Sequence, residues 1–313
     1  MNMGRADIHC HTNHSGFNRV GFVPFPESVT PPSAMVDTAA KAGLDVLCIT
    51  DHNSVKGAHI ARSYASGSGL DIRVVVGEEV STLDGEILGL FIEDFIPRGL
   101  SAWETIDLIH GQGGLAIAPH PFSYQCPSLG GKISSLPLDG VEILNAGHRD
   151  HYVNKIAGLQ CGSGCARVGS SDAHTSLTLG NAWTTFSGDD PEELFKAVKW
   201  GRTQPCGDAN TLGDYIGWSV EVAHEVSRKI LTPDEDRVKD DPLGRIYQMR
   251  SHNKAIALAG SALYASTPLP LVAGAIGEGL VRHRGRKMWN EVMGVERTHG
   301  LAWMANLWRQ LLR

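Results

Sequence analysis

An α/β architecture, a parallel sheet closing toward a barrel with a helical region at the carboxyl end, is what this chain predicts. Short and nearly uninterrupted apolar runs alternate with helix-like stretches, the pattern of strands buried on both faces and covered by helices. Polar clusters end these runs: His9-Cys10-His11, Asp51-His52, Glu78-Glu79, Pro119-His120-Pro121 and Asp172-Ala173-His174. Side chains delivered by the carboxyl ends of many strands favour a barrel over an open sheet. Imidazoles and carboxylates delivered that way are what a multi-metal hydrolase requires.

Taken in order, His9 and His11 lie two apart on an extended segment, so both reach one ion while Cys10 faces the other way. Pro31-Pro32 opens a helix over Ser33 to Ala42. Asp45 to Thr50 reads as a buried strand stopping at Asp51-His52, with Asp51 expected to cap the helix Val55 to Ser66. Ile72 to Val76 is a strand stopping at Gly77-Glu78-Glu79, whose two glutamates point to opposite faces. Ser101, with Glu104 three residues on, opens a helix to Gln112. The remaining strands are Leu115 to Ala118 before Pro119-His120, Val141 to Leu144 before Asn145, and Arg167 to Gly169 before Ser170 to His174. Asn145, His148 and Arg149 follow a strand end, within reach of a substrate phosphate.

The ordered set Asp7-Ile8-His9-Cys10-His11-Thr12, Ala42-Gly43-Leu44-Asp45, Ile49-Thr50-Asp51-His52, Gly77-Glu78-Glu79-Val80-Ser81, Gly113 to Pro121, Val141-Glu142-Ile143-Leu144-Asn145 and Gly169 to His174 resembles the PHP (polymerase and histidinol phosphatase) superfamily over residues 1 to about 210. The resemblance implies a distorted (β/α)7 barrel that holds two or three divalent ions and hydrolyses phosphoesters. By motif, His9, His11, Glu79 and Asp172 hold the first ion. Glu79 bridges to a second that also takes His120, and His52 and His174 hold the third. The family register selects Glu79 over Glu78 as the inward glutamate. Two positions depart from the family pattern. Asn13-His14-Ser15-Gly16-Phe17 stands where relatives carry an extra third-site ligand, with His14 out of register. Glu86 is the one candidate where some relatives add a second-site histidine. Two ions are therefore expected, with the third position open.

The 313 residues, 42% apolar, suffice for a large core and suggest two domains, a metal-dependent hydrolase barrel over 1–210 and a helical region over 211–313. A net charge of −6 argues against general nucleic-acid binding. The 6 cysteines contain no Cys-X-X-Cys pair, which disfavours a disulfide framework or zinc ribbon and points to a reducing cytoplasm. Met1 to Ala6 has no apolar core of a signal peptide.

Beyond Gly207 the expectation is a short link over Leu212 to Trp218, one helix over Val220 to Leu231, and a charged connector from Thr232 to Pro242. Ala255 to Gly277 carries no charge and is divided by Pro268 and Pro270, with Arg282, His283, Arg284, Arg286 and Lys287 after it. Two short helices joined at Ser266 to Pro270 follow. They form either a hairpin packed on the barrel or at a homo-oligomer interface, or a membrane-surface anchor through 255–287, which would make the cytoplasmic protein membrane-associated. Trp289, Trp303 and Trp308 suit both readings.

The chemistry expected is that of a phosphoric ester hydrolase (EC 3.1 class). Two ions about 3.5–4 Å apart clamp the phosphate oxygens and activate water. Asp172 ligates, and whichever of His52 and His174 is not ligating shuttles the proton to the leaving group. The ligand mixture permits zinc, manganese or iron. The partner is a small phosphorylated substrate: a nucleotide, an oligonucleotide or a sugar phosphate. The rivals are C–N bond hydrolysis on the same barrel and a non-catalytic, membrane-associated sensor of a phosphorylated ligand.

Overall fold

The computed structural model describes residues 2–20, 23–233 and 241–294, so Trp303, Trp308 and most of the charged connector lie outside the described residues. Nine strands form one sheet: β1 (Met3–Asp7), β4 (Val46–Ile49), β5 (Arg73–Ser81), β6 (Glu86–Leu90), β7 (Leu115–Ala118), β8 (Gly140–Asn145), β9 (Ala166–Ser170), β10 (Ala182–Ser187) and β11 (Gln204–Gly207). Their order is β11-β10-β1-β4-β5-β6-β7-β8-β9. The two ends of the sheet curl together. Thr184 Oγ1 in β10 accepts from Gly169 N (3.0 Å) and donates to Gly169 O (2.7 Å) in β9, and Thr203 Oγ1 donates to Arg167 O (2.8 Å). The result is a nearly closed barrel. A separate hairpin, β2 (Phe17–Val20) with β3 (Val23–Pro26), stands beside its mouth.

The all-parallel expectation holds for β1-β4, β4-β5, β7-β8 and β8-β9 only. Strand β6 runs antiparallel to both neighbours, because β5 continues past Gly77 to Ser81 and turns back within four residues. Such a short connection permits only an antiparallel partner. The expected strand end at Gly77 is thus corrected, and Glu78 and Glu79 lie within a strand.

Helices α1 (Pro32–Lys41), α2 (Lys56–Ser68), α3 (Ala102–Gly111), α4 (His151–Gln160) and α5 (Pro191–Lys199) cover the sheet. Helix α3 opens with the expected box: Ser101 Oγ accepts from Glu104 N, and the Glu104 carboxylate accepts from Ser101 N. Helix α2 has no side-chain cap, so the expected Asp51 cap is wrong. Asp51 instead accepts from Thr12 N (2.5 Å) and Thr12 Oγ1 (2.7 Å), tying the β4 exit to the β1 exit. Gly57 permits this, since a Cβ there would collide with the Asp51 carboxylate and the Thr12 hydroxyl. Ile8, Val46, Cys48, Val75, Leu88, Leu90, Ile117, Val168 and Phe186 fill the barrel, with α5 contributing Leu194 and Val198.

The link expected over Leu212 to Trp218 is the first two turns of α6 (Leu212–Leu231), started by a capping box between Thr211 and Asp214. Helix α6 shares a small core with the β2–β3 hairpin, through Val222, Val226, Leu243, Ile246 and Met249 against Phe17, Val23 and Phe25. Then come α7 (Ser251–Ser266) and α8 (Leu269–Val292), of 16 and 24 residues, so the second is not short. Their axes turn through 87°, a right-angle corner rather than a hairpin. No single described helix is long and apolar enough to cross a membrane.

Candidate metal centre at the barrel mouth

The parallel strands deliver their polar clusters to one end of the barrel. His9 and His11 follow β1, His52 follows β4, His120 follows β7, and Asp172 and His174 follow β9. Short backbone bridges pin the exits together: His11 N donates to Ala173 O (2.8 Å), Asp172 N to His9 O (2.9 Å) and Thr50 N to Cys10 O (2.9 Å). His120 and Asp172 sit at φ 27° and 50°, a left-handed conformation that non-glycine residues adopt at a cost of order 1–3 kcal/mol. Both belong to the polar cluster, where strain of this kind concentrates.

Four atoms converge. His9 Nε2 lies 3.1 Å from His11 Nε2, 3.2 Å from Glu79 Oε2 and 3.4 Å from Asp172 Oδ1. His11 Nε2 lies 3.3 Å from each of the same two oxygens. A tetrahedral ion with bonds of about 2.0–2.1 Å has ligand–ligand edges of about 3.3–3.4 Å. The donor set and its spacing therefore fit a divalent ion at their centre.

The outer ring nitrogens are held so that the inner ones keep their lone pairs. His9 Nδ1 meets Glu142 Oε1 (3.2 Å), His11 Nδ1 meets Ser15 Oγ (2.9 Å) and His174 Nδ1 meets Asp172 O (3.0 Å). In each case a proton on Nδ1 leaves Nε2 free, the tautomer a metal ligand needs. Glu79 is the hub. Its Oε1 lies 3.1 Å from His120 Nε2, and its Oε2 also lies 3.1 Å from His52 Nδ1. Glu78 points to the opposite face and accepts from Ile96 N (2.8 Å).

The electrostatics of these side chains suit a cation site. Burial works against the Glu79 carboxylate, but His52, His9, His11 and His120 outweigh it and hold its pKa well below the usual range. Burial likewise opposes protonation of His11 and His120, yet Asp172 and Glu79 push His11, and Glu79 pushes His120, up to about 9. At His174 and His148 burial and neighbouring histidines outweigh Asp172 and draw the pKa down to about 3 and about 4, leaving neutral rings.

The other expected site residues fall into three places. His52 and His174 join the His11 ring, stacked on it at centroid distances of 4.6 and 4.2 Å. Asn145 is fully buried and lies behind the cluster, donating from Nδ2 to Glu142 Oε2 (2.8 Å) and Asp172 Oδ2 (3.1 Å). His148 lines the mouth, whereas Arg149 turns into a neighbouring cavity of about 280 Å³, over the Tyr215 ring and 3.9 Å from Glu278. His14 belongs to none of the potential ligand groups among the described residues.

Glu142, Glu27 and Trp218 add what motif reading did not assign, and Glu86 stands at the second-site position it was a candidate for. Glu142, fully buried, receives His9, His120 N and Asn145, and its charge inside the apolar run Val141 to Leu144 was the available signal. Glu27, from beyond β3, reaches His52 Nε2 at 3.2 Å. Glu86 faces His52 (3.8 Å) and His120 (3.9 Å), because the pairing Ser81↔Glu86 puts it on the same face as Glu79. Trp218 closes the wall beside His174. The whole opens into a cavity of about 820 Å³ with Phe95 and Tyr215 on its walls and Arg98 and Arg245 among its lining.

A family model described as PHP-associated (PHP_C) matches residues 163–203. The uncharacterized protein MJ1587 of Methanocaldococcus jannaschii is 48% identical over 153 residues, 49% of this chain and 88% of that protein. Among solved structures, PsfC from Pseudomonas syringae PB-5123 superposes with a TM-score of 0.54 at 16% identity, covering 72% of this chain and 99% of that one. A two-domain protein from Bacteroides vulgatus ATCC 8482, described as containing a predicted PHP-like metal-dependent phosphoesterase, gives 0.51 at 16% identity over 66% of this chain and 65% of its own. At that identity the likeness is one of fold. The fold is PHP-like, and the ordered motifs and the family match over residues 163–203 agree with it.

Proposed function

We propose that this chain is a metal-dependent phosphoesterase acting on a small phosphorylated substrate. The supporting observation is the set His9, His11, Glu79 and Asp172, whose donor atoms stand 3.1–3.4 Å apart at the foot of an open cavity. These four would hold one ion. Glu79, His120, Glu86 and His52 would hold a second, and His174, with His11 and His52 beside it, leaves room for a third. Divalent ions bound there supply Lewis-acid polarisation of a phosphoryl oxygen and activation of water near neutral pH. The chain's own side chains do the rest. Arg98 and Arg245 attract the anionic group to the cavity. Glu142 and Asn145 fix the ligands so that they need not reorganise during the reaction. Proton delivery to the leaving group falls to whichever of His52 and His174 is not ligating.

The decisive measurement is turnover of a panel of phosphomonoesters and phosphodiesters with added manganese, zinc or iron. Hydrolysis that depends on the ion is expected, and His9→Ala and Asp172→Ala should abolish it together with bound metal while the fold persists. A metal-loaded protein that binds phosphorylated ligands without turnover would identify a sensor instead, and cleavage confined to C–N bonds would move the chemistry to amides. As its setting we propose an anionic lipid surface, because α7 and α8 carry an uncovered apolar corner followed by basic residues.

A further inference from the structure

His148 is 97% buried, and neither of its ring nitrogens has a hydrogen-bond partner. An unsatisfied buried polar group costs about 1–3 kcal/mol, so a ring kept in that state calls for a ligand. Two further donors stand against it. His120, whose ring centroid is 5.6 Å away at 69°, has an unpartnered Nδ1. Cys126, on the loop after β7, lines the same cavity. That loop is built to return the thiol to this place: Ser123 N donates to His120 O (2.8 Å), Cys126 N to Ser123 Oγ (3.1 Å), and Ser128 Oγ to both His120 O (3.0 Å) and Cys126 O (3.2 Å). Donor atoms of His120, Cys126 and His148 all lie within 4.8 Å of one another.

We propose that His120 through Nδ1, Cys126 and His148 form a thiolate-bearing metal position on the cavity wall, adjoining the Glu79 position through the His120 ring, whose Nε2 faces Glu79, and selective for a soft or borderline divalent ion such as zinc. The coordination step releases the thiol proton to solvent and forms a metal–sulfur bond, and where the His120 ring ligates through both nitrogens its ring proton is released as well. Two imidazoles and one thiolate leave a fourth tetrahedral position open toward the cavity, the arrangement of a reactive rather than a closed structural site. Thiolate and imidazole favour zinc, cobalt(II) or copper over manganese or magnesium, so this position discriminates among ions that the carboxylate-rich neighbour accepts alike. The inference does not rest on phosphoester hydrolysis, and its readouts are independent of turnover.

The test is cobalt(II) titration of the metal-stripped full chain followed by absorption. A near-ultraviolet thiolate-to-cobalt charge-transfer band is expected. It should vanish in Cys126→Ser and weaken in His148→Ala, and it should persist in Cys161→Ser, Cys165→Ser and His9→Ala. Zinc content should fall by one ion per chain in Cys126→Ser. No charge-transfer band at saturating cobalt, or a band indifferent to Cys126→Ser, overturns the proposal. Should Cys126→Ser fail to fold, X-ray absorption of the zinc-loaded native chain decides: sulfur at about 2.3 Å supports the site. A shell of nitrogen and oxygen alone refutes it.

Discussion

Glu79 and Glu78 are adjacent, equally buried and chemically identical, yet their surroundings give them opposite behaviour. Glu79 is ionised by four histidines, whereas burial pushes Glu78 up from 4.5 to about 7 against a single bond from Ile96 N. Glu79→Gln should therefore lower metal content and turnover together by at least tenfold, and Glu78→Gln should leave both nearly intact. Equal, mild effects would refute the bridging role. Glu78 carries a second prediction, in stability. The folded state binds its proton more tightly than the unfolded chain, so between about pH 4.5 and 7 stability falls as pH rises, by on the order of 3 kcal/mol for this group alone. Glu78→Gln removes that loss. In denaturant unfolding its advantage over the native chain should grow from pH 5 to pH 8, and a difference independent of pH would contradict the assignment. The inward glutamate was legible from strand alternation combined with the family register. The role of Asp51 was not, because it is decided by a partner 39 residues away that no local pattern reveals.

Element boundaries follow the same division between local and distant causes. Helix α3 was readable because its capping box is contained in four residues, and β7 because both ends of its apolar run are marked by glycine or proline. The β5–β6 hairpin escaped because β5 runs on past Gly77 to Ser81, a continuation fixed by pairing with β6 rather than by any local pattern. The first turns of α6 escaped because Gly213 and Gly217 obscure a helix that Thr211 and Asp214 start. Packing of α8 on α4 relies on an even less visible device. Gly285 lets α8 approach Asp150, which caps α4 by accepting from Tyr152 N (3.0 Å) and Val153 N (3.2 Å). A Cβ at Gly285 would stand 2.5 Å from Asp150 Oδ1 and 2.7 Å from its Cγ. Gly285→Ala should accordingly cost about 1–3 kcal/mol through displacement of the helix and its neighbour's cap. Chemical denaturation checks this. An unchanged midpoint would mean that α8 is not held against α4 at this point.

Closure of the barrel gathers at one mouth residues as far apart as His9 and His174, and the same end of the molecule meets α6 and α8. The alternation of strands and helices made this barrel foreseeable, but the 87° corner between α7 and α8 depends on packing against α6 and α4, which sequence periodicity does not contain. That packing covers Pro270 and Gly285 and leaves Leu263, Leu269, Leu271, Val272, Ile276 and Leu280 exposed around the corner. An apolar surface of this kind marks a contact with something else. Arg282 and Lys287, with side chains 62% and 56% exposed, follow within two turns, so the outward face passes from apolar to cationic in the order that suits insertion under anionic headgroups. The whole chain carries −6, which makes the attraction local and steeply dependent on salt. Full-length protein should therefore sediment with anionic vesicles at low ionic strength, leave them as salt rises, and ignore neutral vesicles more than anionic ones. Leu271→Glu with Ile276→Glu should abolish the binding while leaving turnover on a soluble phosphoester unchanged, since neither side chain reaches the metal centre. If the protein stays in the supernatant with anionic vesicles at low salt, the lipid reading fails. A sedimentation coefficient that rises with protein concentration in the native chain and not in the double variant would then assign the corner to a second copy of the chain.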